Sequence, residues 1–222
     1  MTDSDRIVAI ADSLVSLGAE VRQLRKARGL TLKQLSGRAG VSRSHLSAIE
    51  RGASNPSVEV LGALANGLQV TPDWFFARRP GAGPMERAHI VRSQNRRNLN
   101  TLYGQGADVL GYTDSLLSSS IGGQFYMGLA VYAPYSVRPN GPMHKHEGEE
   151  HGLILDGELE MTIGAEALTL RVGDSYSFDA RIPHHGRNRT DRVCRLVWAV
   201  SPVVIPASVE VDAAPVVRET GE

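Results

Sequence analysis

The chain holds one cysteine in 222 residues, Cys194, so it can form no internal disulfide. That suits a reducing compartment. Cys194 lies in the apolar run RVCRLVWAV and is expected to be a buried core thiol. No apolar run reaches the roughly 18–20 residues that a membrane helix needs. The N-terminus, MTDSDRIVAIADSL, begins acidic and lacks the basic start of a signal peptide. A cytoplasmic protein is expected. Net charge is absent too, with 24 basic against 24 acidic residues. Global charge therefore says nothing about partners, and no internal repeat is visible.

The two ends of the chain differ. Residues 1–79 hold 11 Lys/Arg and 7 Asp/Glu, a balance of +4, while residues 80–222 hold 13 and 17, a balance of −4. A basic N-terminal part suits a polyanion. Between them RRPGAGP, at 78–84, places two Pro and two Gly in seven residues and reads as a linker.

The most informative stretch is GLTLKQLSGRAGVSRSHLSAIERG, residues 29–52. It reads as two short helices joined by a tight turn. Gly29 suits the break after a preceding helix. Thr31 and Ser42 can cap the next two. Leu35 and Ala39 share one face of the first helix, and Ser36 is small where helices cross. Gly40 suits a turn with positive φ. Val41, Leu46 and Ile49 point inward, whereas Arg43, Ser44, Ser47 and Ala48 point away. Such a unit can lay its second helix in the major groove of double-stranded DNA. Upstream, residues 5–28 show helical spacing, with Gly18 as a break. Downstream, residues 57–68 and 72–76 read as two further helices, the first with Leu61, Leu64, Ala65 and Leu68 on its core face.

Residues 19–76 resemble the five-helix DNA-binding domain of the phage-repressor, or XRE, class. The resemblance runs through EVRQLRKARGLTLKQLSGRAGVSRSHLSAIERG and NPSVEVLGALANGLQVTPDWFF. It implies base reading by Arg43, Ser44 and Ala48, with Ser47 beside them. Arg43 can pair bidentately with guanine; Ala48 offers only an apolar contact. Thr31, Ser42, Arg51 and Asn55 are placed for phosphate, which positions without specifying. The family's structural ion pair falls on Arg25 and Glu50.

From about residue 100 the texture changes. QFYMGLAVYAP, HGLILDG, ELEMTIG, ALTLRVGD and CRLVWAVS alternate with Gly, Pro and Asp turns. That pattern predicts an antiparallel sandwich or barrel. Five of the seven histidines fall between 144 and 185. His144, His146 and Glu150 form H-x-H-x-x-x-E, and a strand would put the two imidazoles on one face. With His184, after Pro183, they suit a divalent transition metal such as Fe, Mn, Ni, Zn or Cu. His151 and His185 are read as supporting or surface groups.

This spacing resembles the cupin superfamily of small jelly-roll barrels. The motifs are PMHKHEGEEHGLILDGELEM and GDSYSFDARIPHHGRN. The resemblance implies a four-ligand set of His144, His146, Glu150 and His184. Arg138 stands where the family's first motif has a glycine, and Asp179 where the second often has a proline; neither change removes a ligand.

The expected architecture is an α+β two-domain chain. An all-α helix-turn-helix domain over 1–77, with an extra N-terminal helix, precedes a linker over 78–100. An all-β cupin barrel over 101–206 and a tail over 207–222 follow. This order resembles XRE-type transcriptional regulators with a C-terminal cupin, of the putrescine-utilisation repressor class. It implies a homodimer that binds an operator and a small-molecule effector, with Arg138, Tyr126, Tyr176 and Trp198 as candidate effector contacts. The rival is an enzyme: the same domain order occurs in the hydroxypropylphosphonate epoxidase, a non-haem iron oxygenase. There two histidines and one carboxylate leave open metal positions, one of which His144 would fill here.

Overall fold

A computed structural model describes residues 17–76, 89–103, 111–136 and 143–205. The expected helix before residue 17, the RRPGAGP linker, Arg138 and the 207–222 tail lie outside the described residues.

The N-terminal half is helical. Residues 17–27 form α1, followed by α2 (Leu32–Ala39), α3 (Arg43–Glu50) and α4 (Val58–Leu68). The ends are set by local chemistry. The Gln34 amide donates to the Thr31 hydroxyl, and the Thr31 amide donates back to the Gln34 side chain at 2.8 Å, a reciprocal cap. Gly40 ends α2 in the left-handed region, at φ 65°. Ser42 caps α3 and Ser57 caps α4 through side-chain oxygens. Residues 72–76, expected as a fifth helix, form a 3-10 turn, Pro72–Phe76. The Trp74 amide reaches back three residues to the Thr71 carbonyl, and the turn is too short to propagate as an α-helix.

Gly18 lies within α1, where a Cβ would stand 2.0 Å from the Ile49 carbonyl oxygen. Its role is close approach of α1 to α3. At the same crossing Arg25 and Glu50 form a buried bidentate pair, at 2.6 and 2.9 Å, and Arg25 also donates to the Leu30 carbonyl. No described helix is long and apolar enough to cross a membrane.

The C-terminal half is an antiparallel β structure of eight strands among the described residues. They are β1 (Tyr112–Leu116), β2 (Tyr126–Tyr132), β3 (Glu149–Asp156), β4 (Glu158–Ile163), β5 (Glu166–Arg171), β6 (Ser175–Asp179), β7 (His184–Arg187) and β8 (Cys194–Ser201). Two sheets, in order β1-β2-β8-β3-β6 and β5-β4-β7, face each other. Alternation fixes the inner face: Tyr126, Gly128, Ala130 and Tyr132 on β2, and Cys194, Leu196, Trp198 and Val200 on β8, are buried. Across β2, β8, β3 and β6 one inner row runs Gly128, Trp198, Gly152, Tyr176. Small alternates with large. A Cβ on Gly128 would fall 2.2 Å from the Trp198 ring, and one on Gly152 would fall 2.2 Å from the Tyr176 ring. The glycines therefore make room for the aromatics that line the barrel.

Candidate functional site

Two sites stand out, an exposed helix and a buried pocket. The exposed helix is α3. Arg43 and Ser44 in its first turn face solvent, Ser47 and Ala48 are half-buried, and Leu46 and Ile49 anchor the opposite face in the core. Thr31, Ser42, Arg51 and Asn55 are exposed around it. Ser42 Oγ accepts the His45 amide at 3.2 Å and lies 3.1 Å from Ser44 Oγ. Arg51 donates to the Ser47 hydroxyl. The face thus carries a free guanidinium plane at Arg43, surrounded by hydroxyls of fixed position.

The pocket opens between the two sheets and encloses about 680 Å³, counted out through its mouth. Three of the four expected ligands converge there. His146 Nε2 is 3.3 Å from Glu150 Oε2, and His184 Nε2 is 3.5 Å from the same oxygen. All three donor atoms lie within 4.8 Å of one another. Each imidazole is oriented from behind, with His146 Nδ1 3.1 Å from the Glu147 carbonyl and His184 Nδ1 2.8 Å from the Ile182 carbonyl. A carbonyl can only accept, so each Nδ1 carries the proton. For neutral rings both Nε2 lone pairs then point at a carboxylate oxygen, three acceptors facing one another. A proton on one Nε2 or a cation at the centre resolves that conflict, and backbone-oriented histidines are how proteins hold a metal cation. The residues present therefore fit a divalent transition metal.

Electrostatics follow the same geometry. Burial alone would push the Glu150 carboxyl up, but its hydrogen bonds and charge interactions with His146 and His184 hold it well below the ordinary range. Tyr176 donates to its other oxygen at 2.9 Å. For His146, burial opposes protonation, while the Glu150 hydrogen bond and charge raise its pKa overall. Burial, aided by the His184 charge, lowers His144 to about 4, which keeps its ring neutral.

His144 is placed differently from expectation. Residues 143–148 form no strand; His144 makes a single two-way backbone bridge to His184, at 2.7 and 2.9 Å. Its ring lines the pocket 6.1 Å from that of His184, apart from the three-residue cluster. Of the four candidate effector contacts, Tyr176 and Trp198 line the pocket. Tyr126 is buried edge-on against Trp198 without lining it, and Arg138 is outside the described residues. His185 lines the pocket with Nδ1 2.6 Å from the Met143 sulfur, and His151 is an exposed surface group beside Glu149.

Sequence reading missed Tyr112, Tyr132 and Asp114, which line the far wall. Asp114 is 3% exposed and accepts the Trp198 indole N–H at 3.1 Å. Burial raises its pKa to about 8, against the opposing effect of that hydrogen bond. Its burial follows the alternation along β1 that also turns Tyr112 and Leu116 inward, a pattern that only the strand's pairing reveals.

The comparisons agree with this two-part layout. The Helix-turn-helix family model HTH_3 matches residues 21–75, and the Cupin domain model Cupin_2 matches residues 135–200. The HTH-type transcriptional regulator PuuR of Escherichia coli is 25% identical over 193 residues, 87% of this chain and 98% of its own length. The HTH-type transcriptional regulator SutR of the same species is 27% identical over 177 residues, 78% and 86% of the two chains. Among solved structures, the hydroxypropylphosphonic acid epoxidase from S. wedmorenis is 16% identical with a TM-score of 0.41, over 85% of this chain and 97% of its own.

Proposed function

This chain belongs to the XRE-type helix-turn-helix transcriptional regulators with a C-terminal cupin domain, and from that premise we propose that its barrel senses a small metabolite beside a bound metal. It is a DNA-binding regulator, with α3 as the reading helix. The convergence of His146, Glu150 and His184 at the back of an aromatic pocket carries the sensing reading. A metal held there would act as a Lewis acid for an oxygen or nitrogen group of the effector. His144, neutral and in the same pocket, stands by as a fourth ligand.

Arg43 supplies the specific base contact and Ser44 supports it. Ala48 adds little, Ser47 lies beside these positions, and Thr31, Ser42, Arg51 and Asn55 set the register on the backbone. One head with so few base contacts binds weakly, so the chain works as a homodimer on half-sites about one helical turn apart. Residues 1–77 form the DNA-binding unit and 101–206 the sensing unit.

Metal analysis of purified protein beside a His146→Ala/Glu150→Ala variant tests the pocket. The wild type should retain near-stoichiometric metal and the variant should lose it; equal content in both removes the metal from the account. Sedimentation of the full chain checks the dimer.

One observation favours a second reading, an oxygenase. The tight cluster is two imidazoles and one carboxylate, with His144 apart, which leaves open positions on a metal. Oxygen uptake by the Fe(II)-loaded chain with hydroxylated candidate substrates separates the two. Uptake coupled to substrate turnover would establish the enzyme.

A further inference from the structure

Among the described residues, the two halves meet along a seam tied by hydrogen bonds of Arg97, Arg28 and Ile205. Arg97 holds the buried carboxylate of Glu20, on α1, through Nη1 to Oε1 and through Nη2 to Oε2 at 2.8 Å. The same guanidinium stacks over Trp74, its carbon 5.0 Å from the ring centre. Arg28, just past α1, donates to the carbonyls of Leu68, Gln69, Leu102 and Ile205, so one side chain bonds to both halves. Finally, the Ile205 amide donates to the Ala27 carbonyl at 2.9 Å.

The segment that carries Arg97 is also joined to the pocket wall. The Leu116 amide donates to the Arg97 carbonyl, and the Leu99 amide to the Asp114 carbonyl, both at 2.9 Å. Asn100, 2% exposed, grips β1 twice: its side chain donates to the Tyr112 carbonyl at 3.0 Å and accepts the Asp114 amide at 2.7 Å. Tyr112 and Asp114 line the pocket, and the Asp114 carboxyl takes the Trp198 N–H. Hydrogen bonds of this length fail within about 0.5–1 Å of stretch. A strand moved by a pocket occupant therefore either carries Asn100 with it or leaves buried amide groups unpaired.

We propose that residues 97–102 are a strut that transmits the state of the pocket from β1 to α1 and Trp74. Asn100 is its positioning residue at the pocket end and Arg97 at the head end. This rests on the regulator reading above and specifies how its two sites communicate. Leu99, Asn100 and Leu102 in it are buried, and its hydrogen bonds run from the pocket strand β1 to α1, the helix that crosses α3 at Gly18, which gives the two sites a continuous packed connection.

The chain's two tryptophans sit at the two ends, Trp198 in the pocket and Trp74 beneath Arg97. Full-length protein labelled with 5-fluorotryptophan therefore reports both ends as two fluorine resonances, assigned with Trp→Phe variants. The pocket is perturbed without any ligand by Asp114→Ala, which removes the acceptor of the Trp198 N–H. Both resonances should move. With Asn100→Ala added, the Trp198 shift should persist and the Trp74 shift should largely vanish. Trp74 standing still while Trp198 moves, or moving equally with Asn100→Ala present, overturns the strut. Should Asn100→Ala fail to fold, Asn100→Asp keeps the acceptor, drops the donor and should still weaken the Trp74 response. In mobility shifts on the chain's own promoter DNA, Asp114→Ala should change affinity about 5-fold or more, and Asn100→Ala should cancel that change. Failure of the regulator reading looks different: Arg43→Ala would leave promoter binding intact while the fluorine shifts remain.

Discussion

The reading head and the barrel solve opposite problems with polar residues. In the head, the side chains proposed to read DNA are close in sequence, exposed at Arg43 and Ser44 and half-buried at Ser47 and Ala48, and the Arg25–Glu50 pair and a leucine core are buried beneath them. In the barrel the candidate groups are themselves largely buried and come from distant strands. Asp114, Glu150 and His184 lie on β1, β3 and β7. The difference teaches where each half is fragile. The head folds around apolar side chains and one buried ion pair, and leaves the charge of Arg43 exposed. The barrel keeps unresolved electrostatics inside, where a ligand can resolve them.

The largest effect should come from breaking the head's buried pair. Arg25→Ala strands Glu50 at a crossing that also includes the Gly18–Ile49 contact. Removing one partner of a buried pair costs about 3–5 kcal/mol. Urea unfolding followed by Trp74 fluorescence in a Trp198→Phe background should show that loss. A change under about 1 kcal/mol would mean that the pair is more solvated than its burial indicates.

The barrel's counterpart is pH-dependent. Asp114 keeps its proton in the folded state to about pH 8, whereas the unfolded chain releases it near its ordinary value of 3.8. Between those values the unfolded state binds fewer protons, so this group's contribution to stability falls as pH rises and levels off above about 8. Asp114→Asn removes the titration and keeps an acceptor for Trp198. Relative to wild type, the variant should gain stability steadily from pH 5 to 8, on the order of a few kcal/mol in total. Parallel urea midpoints for the two proteins across that range would refute the buried, protonated assignment.

The same contrast decides what could be read in the sequence. The head's signals are local. Thr31 and Ser42 cap within three residues, Gly40 takes the left-handed turn, and Leu46 and Ile49 share one face. All are visible in a window of about ten residues. The fifth helix became a 3-10 turn because five residues cannot repay helix nucleation. In the barrel, the strands with long apolar alternation were legible, as were His146, Glu150 and His184, which sit in recognisable spacings. Asp114 and Tyr112 were not, because β1 is a short edge strand whose site role exists only through its pairing to β2 and its packing on Trp198. Tyr126 was a reasonable candidate by residue type. Its strand register does put the ring on the inner face, but there it packs edge-on against Trp198 and stays outside the pocket lining.

Smaller effects separate reading from folding within α3. Arg43 is exposed, so Arg43→Ala should leave the unfolding midpoint unchanged. It should weaken operator binding by about 1–3 kcal/mol, and relax preference at one base pair, if the side chain makes a bidentate base contact. A uniform loss across all DNA sequences, with a shallower salt dependence, would reassign it to phosphate.

Ser42 is the control, one residue away with the reverse profile. Its hydroxyl accepts the His45 amide, so Ser42→Ala should cost about 1 kcal/mol of stability through the lost cap. Ser42→Asp restores the cap and adds negative charge at the helix start, which favours the helix dipole but repels phosphate. If Ser42 acts in folding alone, Asp rescues both stability and DNA binding. If it also touches the backbone of DNA, Asp rescues stability and deepens the binding defect. The pair of measurements therefore shows whether the head's turn is scaffold or contact, a distinction that burial cannot make for a residue exposed to solvent.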